Sequence, residues 1–200
     1  MSYNRTAALA YARSHWSKAC SDGYVAVKQS PYFKAVAAGT IFVQRYSGGI
    51  FRDEFAQEPG GQTIPLDDLE DCSHFVSCCL GSPPNGTGGG LPVGSDFNTI
   101  YGRLSAQRLY DVLTSNHLVT AVGEKLTYRL AEPRLSQLQP GDLIFYFDGA
   151  ANRYGHSAVY LAGSEKRIAC HTYCRGDANS NYPQGFDSVR LDSCTLLKVN

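Results

Sequence analysis

The last third of the chain contains three apolar runs separated by short, turn-rich segments. The runs are QPGDLIFYF at 139–147, GHSAVYLAG at 155–163 and RIACHTYC at 167–174. Runs of this length and composition predict buried strands, and connections of a few residues predict hairpins. A further apolar segment at 189–199 is placed to close the same sheet. The sequence therefore predicts an antiparallel sheet in this part of the chain.

Three segments earlier in the chain have the spacing of amphipathic helices. Their ranges are 4–18, 71–80 and 103–116. Apolar residues recur there at intervals of three and four, which is the period of a helix with one buried face. Asn4 and Asp71 lie where an N-cap residue is expected. Helices followed by a strand meander predict an α+β fold, with the 71–80 helix packed on the C-terminal antiparallel sheet.

Two other segments lack a clear period. Residues 31–58 are aromatic and are expected to be irregular. Residues 81–94, GSPPNGTGGGLPVG, contain too much Pro and Gly for a helix or a central strand, and they predict a loop beside the 71–80 helix. A chain of 200 residues fits one ordinary domain, and no break in composition divides it. We expect a single domain over residues 1–200.

The composition excludes several classes of protein. Apolar residues make up 43% and charged residues 18%, which is typical of a compact globular chain. Lys plus Arg and Asp plus Glu both total 18, so no cationic excess predicts binding to nucleic acid. No run approaches the ~20 apolar residues of a membrane span, and we expect no membrane insertion. The first residues lack an apolar signal core, which predicts synthesis in the cytoplasm without a signal peptide.

The chain has an odd number of cysteines, seven in all. They are Cys20, Cys72, Cys78, Cys79, Cys170, Cys174 and Cys194. An oxidised protein would form up to three disulfides and keep one thiol, whereas a reduced protein would bury most of the seven as small apolar groups. The sequence does not choose between these states. For Cys20, Cys78 and Cys79 the core-filling role is the stronger interpretation.

Cys72 differs from the other cysteines because it begins a predicted helix. The N-terminus of a helix favours a thiolate over a thiol, and a nearby imidazole does the same. The free N–H groups of the first helical turn can also bind the oxyanion of a tetrahedral intermediate. These properties predict that Cys72 is a nucleophile.

Two histidines are candidates to assist Cys72. His156 begins the second predicted strand, where its imidazole can project from the sheet edge toward the helix and act as the base. His171 lies in the next strand, and a hairpin would place it beside His156 as the residue that orients the base. Asp177 and Asn179 are alternatives for that third role. His15, His74 and His117 are interpreted as structural or surface groups.

Several of these segments resemble the papain-like cell-wall hydrolases of the NlpC and CHAP type. DCSHFVSCCL is similar to their nucleophile segment, and LQPGDLIFYF and GHSAVYLAG are similar to the strand before the catalytic His and to the His strand itself. The narrower resemblance is to the putative amidase domain family. YNRTAALAYARSHW resembles its opening helix and IACHTY its late HT motif, so the likeness extends from residue 3 to about 175. The chain departs from the family pattern at His74 and Cys78.

The resemblance implies a function and its partners. It implies hydrolysis of an amide bond in the peptide part of bacterial peptidoglycan, through a thioester on Cys72. Asp71 and Ser73 flank the nucleophile and are expected to bind polar groups of the substrate. A wall substrate lies outside the cytoplasm, so we expect export by a specialised system, as for an antibacterial effector with a cognate immunity protein. Lysis during phage release is the other route.

Alternatives from other classes stay open. The same Cys–His chemistry would serve a protease or an acyltransferase on protein or lipid substrates. A non-catalytic wall-binding module would keep the fold. A zinc site would use Cys170, His171 and Cys174, with Cys72, Cys78 and Cys79 converging on them, but their spacing is unlike that of paired zinc ligands. We therefore expect no cofactor and no metal.

Overall fold

The computed structural model describes most of the chain. The described residues are 2–28, 33–36, 39–47, 50–57, 63–65, 69–83, 86–93, 105–163, 166–171, 185–189 and 191–200, with the backbone alone for 42–57 and 63–65. The described elements combine helices with antiparallel sheets, which confirms the α+β class. None of the helices in this part of the chain is long and apolar enough to cross a membrane.

The helices begin close to where the sequence predicts them. They are α1 (Arg5–His15), α2 (Cys72–Leu80), α3 (Ala106–Ser115) and the short α4 (Tyr128–Ala131), with 3₁₀ turns at Glu132–Gln137 and Phe186–Ser188. Asn4 caps α1, because its side-chain oxygen accepts a hydrogen bond from the Ala7 N–H. Ser105 caps α3 in the same way through the Arg108 N–H. Both helices are shorter than predicted, because α1 ends at His15 instead of residue 18 and α3 begins only after its Ser105 cap.

The largest sheet has five strands. In chain order they are β6 (Val119–Leu126), β7 (Leu143–Asp148), β8 (Arg153–Ala162), β9 (Arg167–Ala169) and β10 (Ser193–Val199), and the spatial order is β6-β10-β7-β8-β9. All four pairings are antiparallel. The predicted meander is therefore confirmed. The prediction missed β6, whose residues alternate too weakly between apolar and polar to indicate a strand.

The segment expected to be irregular contains further strands. They are β1 (Tyr24–Ala26), β2 (Phe33–Ala35), β3 (Ile41–Ser47), β4 (Ile50–Gln57) and β5 (Thr63–Pro65). The first two form a small antiparallel sheet, and the other three form a second one in the order β3-β4-β5. The expectation of irregular structure over 31–58 is wrong. Aromatic residues favour strands, and in this segment that preference outweighs the lack of a clear period.

The five-stranded sheet is covered on both faces, which explains why its central strands are apolar throughout. One face carries Phe145 and Val159, which belong to the same buried cluster as Phe75 of α2. The other face carries Tyr146, whose cluster includes Leu135 of the 3₁₀ turn. Because directly paired residues share a face, the register of β7 and β8 assigns each β8 side chain to one of these two layers.

Candidate active site

Cys72 is the first residue of α2, and its side chain reaches β8. The residue is buried, with 6% exposure. Its Sγ lies 3.7 Å from the Ser73 hydroxyl, and Ser157 of β8 lies near enough to influence the pKa of the thiol. The start of α2 confirms the predicted position of Cys72 at a helix N-terminus. The thiol therefore faces β8 at Ser157, the residue next to His156.

Burial determines the protonation state of Cys72 in this conformation. Burial raises the pKa of the thiol, and the nearby polar groups of Ser73 and Ser157 lower it by less. The net pKa lies above its usual value. This is the reverse of the lowered pKa that the helix N-terminus led us to expect, because loss of water outweighs the dipole. Cys72 is a neutral thiol here at pH 7.

His156 lies on the face of the sheet opposite to α2. It pairs with Tyr146 across β7 and β8, and the two rings are in tilted contact with centroids 5.5 Å apart. Ser157 pairs with Phe145 on the helix-facing side. The expectation that the imidazole projects toward the helix is wrong, because one extra residue, Gly155, bulges from β8 and sets the alternation that follows. Burial lowers the pKa of His156 to about 3, so the ring is neutral.

His171 is held by two acceptors on other elements. Its Nδ1 lies 2.5 Å from Asp71 Oδ2, and its Nε2 lies 2.7 Å from the His15 carbonyl oxygen. Because a carboxylate and a carbonyl both accept, both ring nitrogens donate and the ring is an imidazolium. Burial would lower the pKa of His171, but the bond to Asp71 and the charge of Cys20 outweigh it and raise that pKa.

His171 is hydrogen-bonded to Asp71, and its predicted role in orienting His156 stays a prediction. In the pairing of β8 with β9, Val159 lies opposite Ala169. Ser157 and His171 lie two residues farther from the hairpin turn, and His171 is just beyond the end of β9. The His171 ring packs on Phe75 of α2, with centroids 4.3 Å apart. His171 thus lies on the helix-facing side of the sheet.

Asp71 connects two imidazole rings. Its Oδ1 accepts from His74 Nδ1 at 2.9 Å and from the Ala26 N–H at 2.5 Å, while Oδ2 accepts from His171. The other ring nitrogen of His74, Nε2, lies 2.8 Å from Asp22 Oδ2. The buried row of His171, Asp71, His74 and Asp22 is called here the His–Asp network.

The sequence profile of the putative amidase domain family matches residues 2–189. The chain belongs to this family. Membership of an amidase family implies a hydrolase of amide bonds, and it agrees with the α+β fold described above. No curated protein matches the chain significantly, and no solved structure does.

The charges of the amidase domain's His–Asp network are mutually stabilising. Burial alone would raise the pKa of Asp71, but the charge of His74 and the hydrogen bonds from both imidazoles lower it to about 2. For His74, burial lowers the pKa, while Asp71, Cys20 and Asp22 raise it well above its usual value. This network was not predicted from the sequence. The sequence contains one local signal of it: Asp71 and His74 are three residues apart, and residues at that spacing lie on the same side of a helix.

The two predicted substrate-binding residues lie beside Cys72 in the amidase domain. Asp71 has no exposed surface. It is the N-cap residue of α2, as its position in the sequence predicts, but its side chain makes no capping hydrogen bond to the helix. The carboxylate turns inward to the two imidazoles instead. Ser73 is also buried, with its hydroxyl against the thiol. Their roles in substrate binding stay predictions, and Asp177 and Asn179 lie outside the described residues.

The metal-binding alternative of the sequence analysis does not assemble among the described residues. Cys170 belongs to the cluster on the far face of the sheet, whereas His171 lies on the face toward α2. Cys174 lies outside the described residues. A different group of possible ligands does come together in the amidase domain, formed by Cys20, His74 and Cys78.

Proposed function

We propose that the chain is a cysteine amidase in which Cys72 is the nucleophile and His156 the base. The observation that carries the proposal is the position of the buried Cys72 thiol, at the first residue of α2, near Ser157, the neighbour of His156 in β8. Family membership supplies the amide substrate class. We further propose that α2 and β8 form a papain-like arrangement of nucleophile helix and histidine strand.

The N-terminus of α2 also offers groups that would stabilise a reaction intermediate. The first backbone hydrogen bond of the helix runs from the Phe75 N–H to the Asp71 carbonyl. The N–H groups of Cys72, Ser73 and His74 therefore have no carbonyl one turn earlier within the helix. Donors in this position can bind a carbonyl oxygen that becomes an oxyanion when the thiol attacks.

The closed conformation described here is a resting state in this proposal. The thiol of Cys72 and the imidazole of His156 are both neutral, because burial disfavours the charged form of each. A substrate that opens the site would admit water. The imidazole of His156 would reach the thiol only with a one-residue shift of the bulge at Gly155, because alternate residues of a strand face opposite sides of the sheet. Proton transfer from Cys72 to His156 would then accompany the attack, without a preformed ion pair.

The chemical steps balance with these two residues alone. Cys72 Sγ forms a bond to the amide carbon as its proton passes to His156. The tetrahedral intermediate collapses with cleavage of the C–N bond, and His156 returns the proton to the leaving amine. Water then attacks the thioester carbon and gives one proton to His156. The carboxylic acid leaves, and His156 restores the proton to Cys72.

We propose an amide bond in the peptide part of bacterial peptidoglycan as the substrate. The resemblance of the DCSHFVSCCL and GHSAVYLAG segments to cell-wall hydrolases supports this choice. Such a substrate requires delivery beyond the cytoplasm, so we also propose export by a specialised system as an antibacterial effector. An immunity protein that covers the cleft would be its protein partner.

Digestion of purified peptidoglycan tests the substrate and the nucleophile together. We expect wild type to release fragments whose masses identify one cleaved amide bond, and we expect Cys72→Ala to release none. Cys194→Ala is the matched control, because it removes another buried thiol from β10 and should keep activity. Release by Cys72→Ala at the wild-type rate would contradict the proposal. Activity on protein or lipid substrates alone would favour the protease or acyltransferase.

A further inference from the structure

Four side chains from two parts of the chain converge on one side of α2. Cys20 and Asp22 come from the segment between α1 and β1, and His74 and Cys78 come from α2. The ligand atoms of Cys20, His74 and Cys78 lie within 4.8 Å of one another. Asp22 Oδ2 lies 3.9 Å from Cys78 Sγ and 2.8 Å from His74 Nε2. We call these four residues the Cys20 cluster.

We propose that the Cys20 cluster binds a structural zinc ion. Two thiolates, one imidazole nitrogen and one carboxylate oxygen are all ligand types that zinc takes in proteins. Zinc–ligand bonds of about 2.0–2.3 Å place tetrahedral ligands roughly 3.3–3.8 Å apart. The distance of 3.6 Å from Cys78 Sγ to His74 Nε2 falls in this range. The hydrogen-bonded pair of His74 and Asp22 would widen by about half an ångström.

The burial of the cluster indicates a structural site. Cys20, His74 and Cys78 have no exposed surface, and the Asp22 side chain is 4% exposed. Four protein ligands complete a tetrahedral shell and leave no position for water or substrate, as in structural zinc sites.

The surroundings of His74 match those of a metal-binding histidine. A histidine that ligates zinc through one nitrogen commonly donates its other N–H to a carboxylate, which fixes the tautomer and the ring orientation. His74 Nδ1 lies 2.9 Å from Asp71 Oδ1, which leaves Nε2 directed at the cluster. Asp71 is in turn fixed by the Ala26 N–H and by His171. The His–Asp network thus provides the outer shell of the proposed site.

The spacing of these residues in the sequence suits such a site. His74 and Cys78 are four residues apart, so both lie on one face of α2. Cys20 and Asp22 are two residues apart, in the segment that this face contacts. One zinc ion would fix α2, and with it Cys72, against residues 20–22.

Metal analysis of the full-length protein tests the proposal. After purification from zinc-supplemented medium and extensive dialysis, we expect about one zinc per chain in wild type and in Cys72→Ala. Cys20→Ser and Cys78→Ser should lose at least ten-fold in zinc content. Cys79→Ala is the matched control, since it removes the adjacent buried thiol of α2 and should retain the metal. Retention of zinc by inactive Cys72→Ala would separate this site from the proposed catalytic function.

Two further measurements test the zinc site if the cysteine variants fail to fold. Cobalt added to metal-free wild type should give the intense visible bands and thiolate charge-transfer absorption of a tetrahedral site. Zinc added to the same protein should raise its melting temperature, and Asp22→His should keep that rise while Asp22→Ala reduces it. Zinc content no higher in wild type than in Cys78→Ser would overturn the proposal. So would a Cys20–Cys78 disulfide found by mass spectrometry in protein purified without oxidant, or iron as the bound metal.

Discussion

His171 Nδ1 lies 2.5 Å from Asp71 Oδ2, and this bond joins two residues 100 positions apart in the chain. It connects the end of the β8–β9 hairpin to the residue that precedes Cys72. Since Asp71 also binds His74 and the Ala26 N–H, one carboxylate holds three separate segments around the start of α2. The position of Cys72 therefore depends on a group that does not itself react.

Asp71→Asn should be strongly destabilising. The change leaves two buried imidazoles beside a neutral amide, and loss of one partner of a buried ion pair costs about 3–5 kcal/mol. Urea unfolding at pH 7, with and without chelator, measures the change in free energy of unfolding. Asp111→Asn, on the exposed face of α3, is the control, and it should lower the free energy of unfolding by less than about 0.5 kcal/mol. Equal effects of the two variants would show that the His–Asp network does not stabilise the fold.

Acid should destabilise the protein through His156. Its folded pKa of about 3 lies below the ordinary value of 6.5, so its contribution to stability is present above pH 6.5 and is lost as the pH falls toward 3. Between pH 7 and pH 5 the loss is about 2 kcal/mol. We expect His156→Gln to lose less free energy of unfolding over this interval than wild type does. The difference between the two slopes isolates His156, because His74 and His171 titrate in both proteins.

Cys72 should react slowly with iodoacetamide in the resting protein. Burial raises the pKa of its thiol and limits access, so both the thiolate fraction and the collision rate are low. We expect its labelling rate at pH 7, followed by peptide mass spectrometry, to be at least ten-fold below that of an unstructured cysteine peptide. Unfolding in urea should remove the difference. Rapid labelling of the folded protein at mildly acidic pH would instead show a preformed thiolate–imidazolium pair.

Arg5 anchors α1 to the sheet. Its guanidinium lies 2.6 Å from Asp142 Oδ1 and also donates to the carbonyls of Pro140 and Val199. Asp142 is almost fully buried, whereas Arg5 is partly exposed, so we expect Arg5→Leu to cost about 2 kcal/mol rather than the larger penalty of a fully buried pair. Thermal and urea unfolding measure the loss. Arg13→Leu, on the exposed side of the same helix, should change stability little.

Local sequence signals predicted the helices and the sheet that form the site. Asn4 and the position of Cys72 at a helix start could be read from capping preference and period, because both depend on neighbouring residues. β7 and β8 were evident from their apolar runs. β6 and the strands of 31–58 were not, because pairing with distant strands stabilises them more than their own pattern does.

The side chains of the site were predicted less well than its elements. The direction of His156 depends on the bulge at Gly155, a single-residue shift that reverses the face of every side chain after it. His171 was predicted to orient His156, but its partner is Asp71, and contacts across 100 residues leave no local pattern. Each considered alone, Cys20 and His74 are interpreted as structural groups. Their significance appears only when the fold brings them to Cys78.

The placement of β10 has a consequence for how the chain is made. This strand, residues 193–199, lies between β6 and β7 in the sheet, so two strands synthesised earlier cannot be joined without it. Until β10 leaves the ribosome, β6 and β7 each have an edge with open hydrogen-bonding groups. The five-stranded sheet therefore cannot close before residues 193–199 are available, and until then the nascent chain exposes strand edges of the kind that favour aggregation.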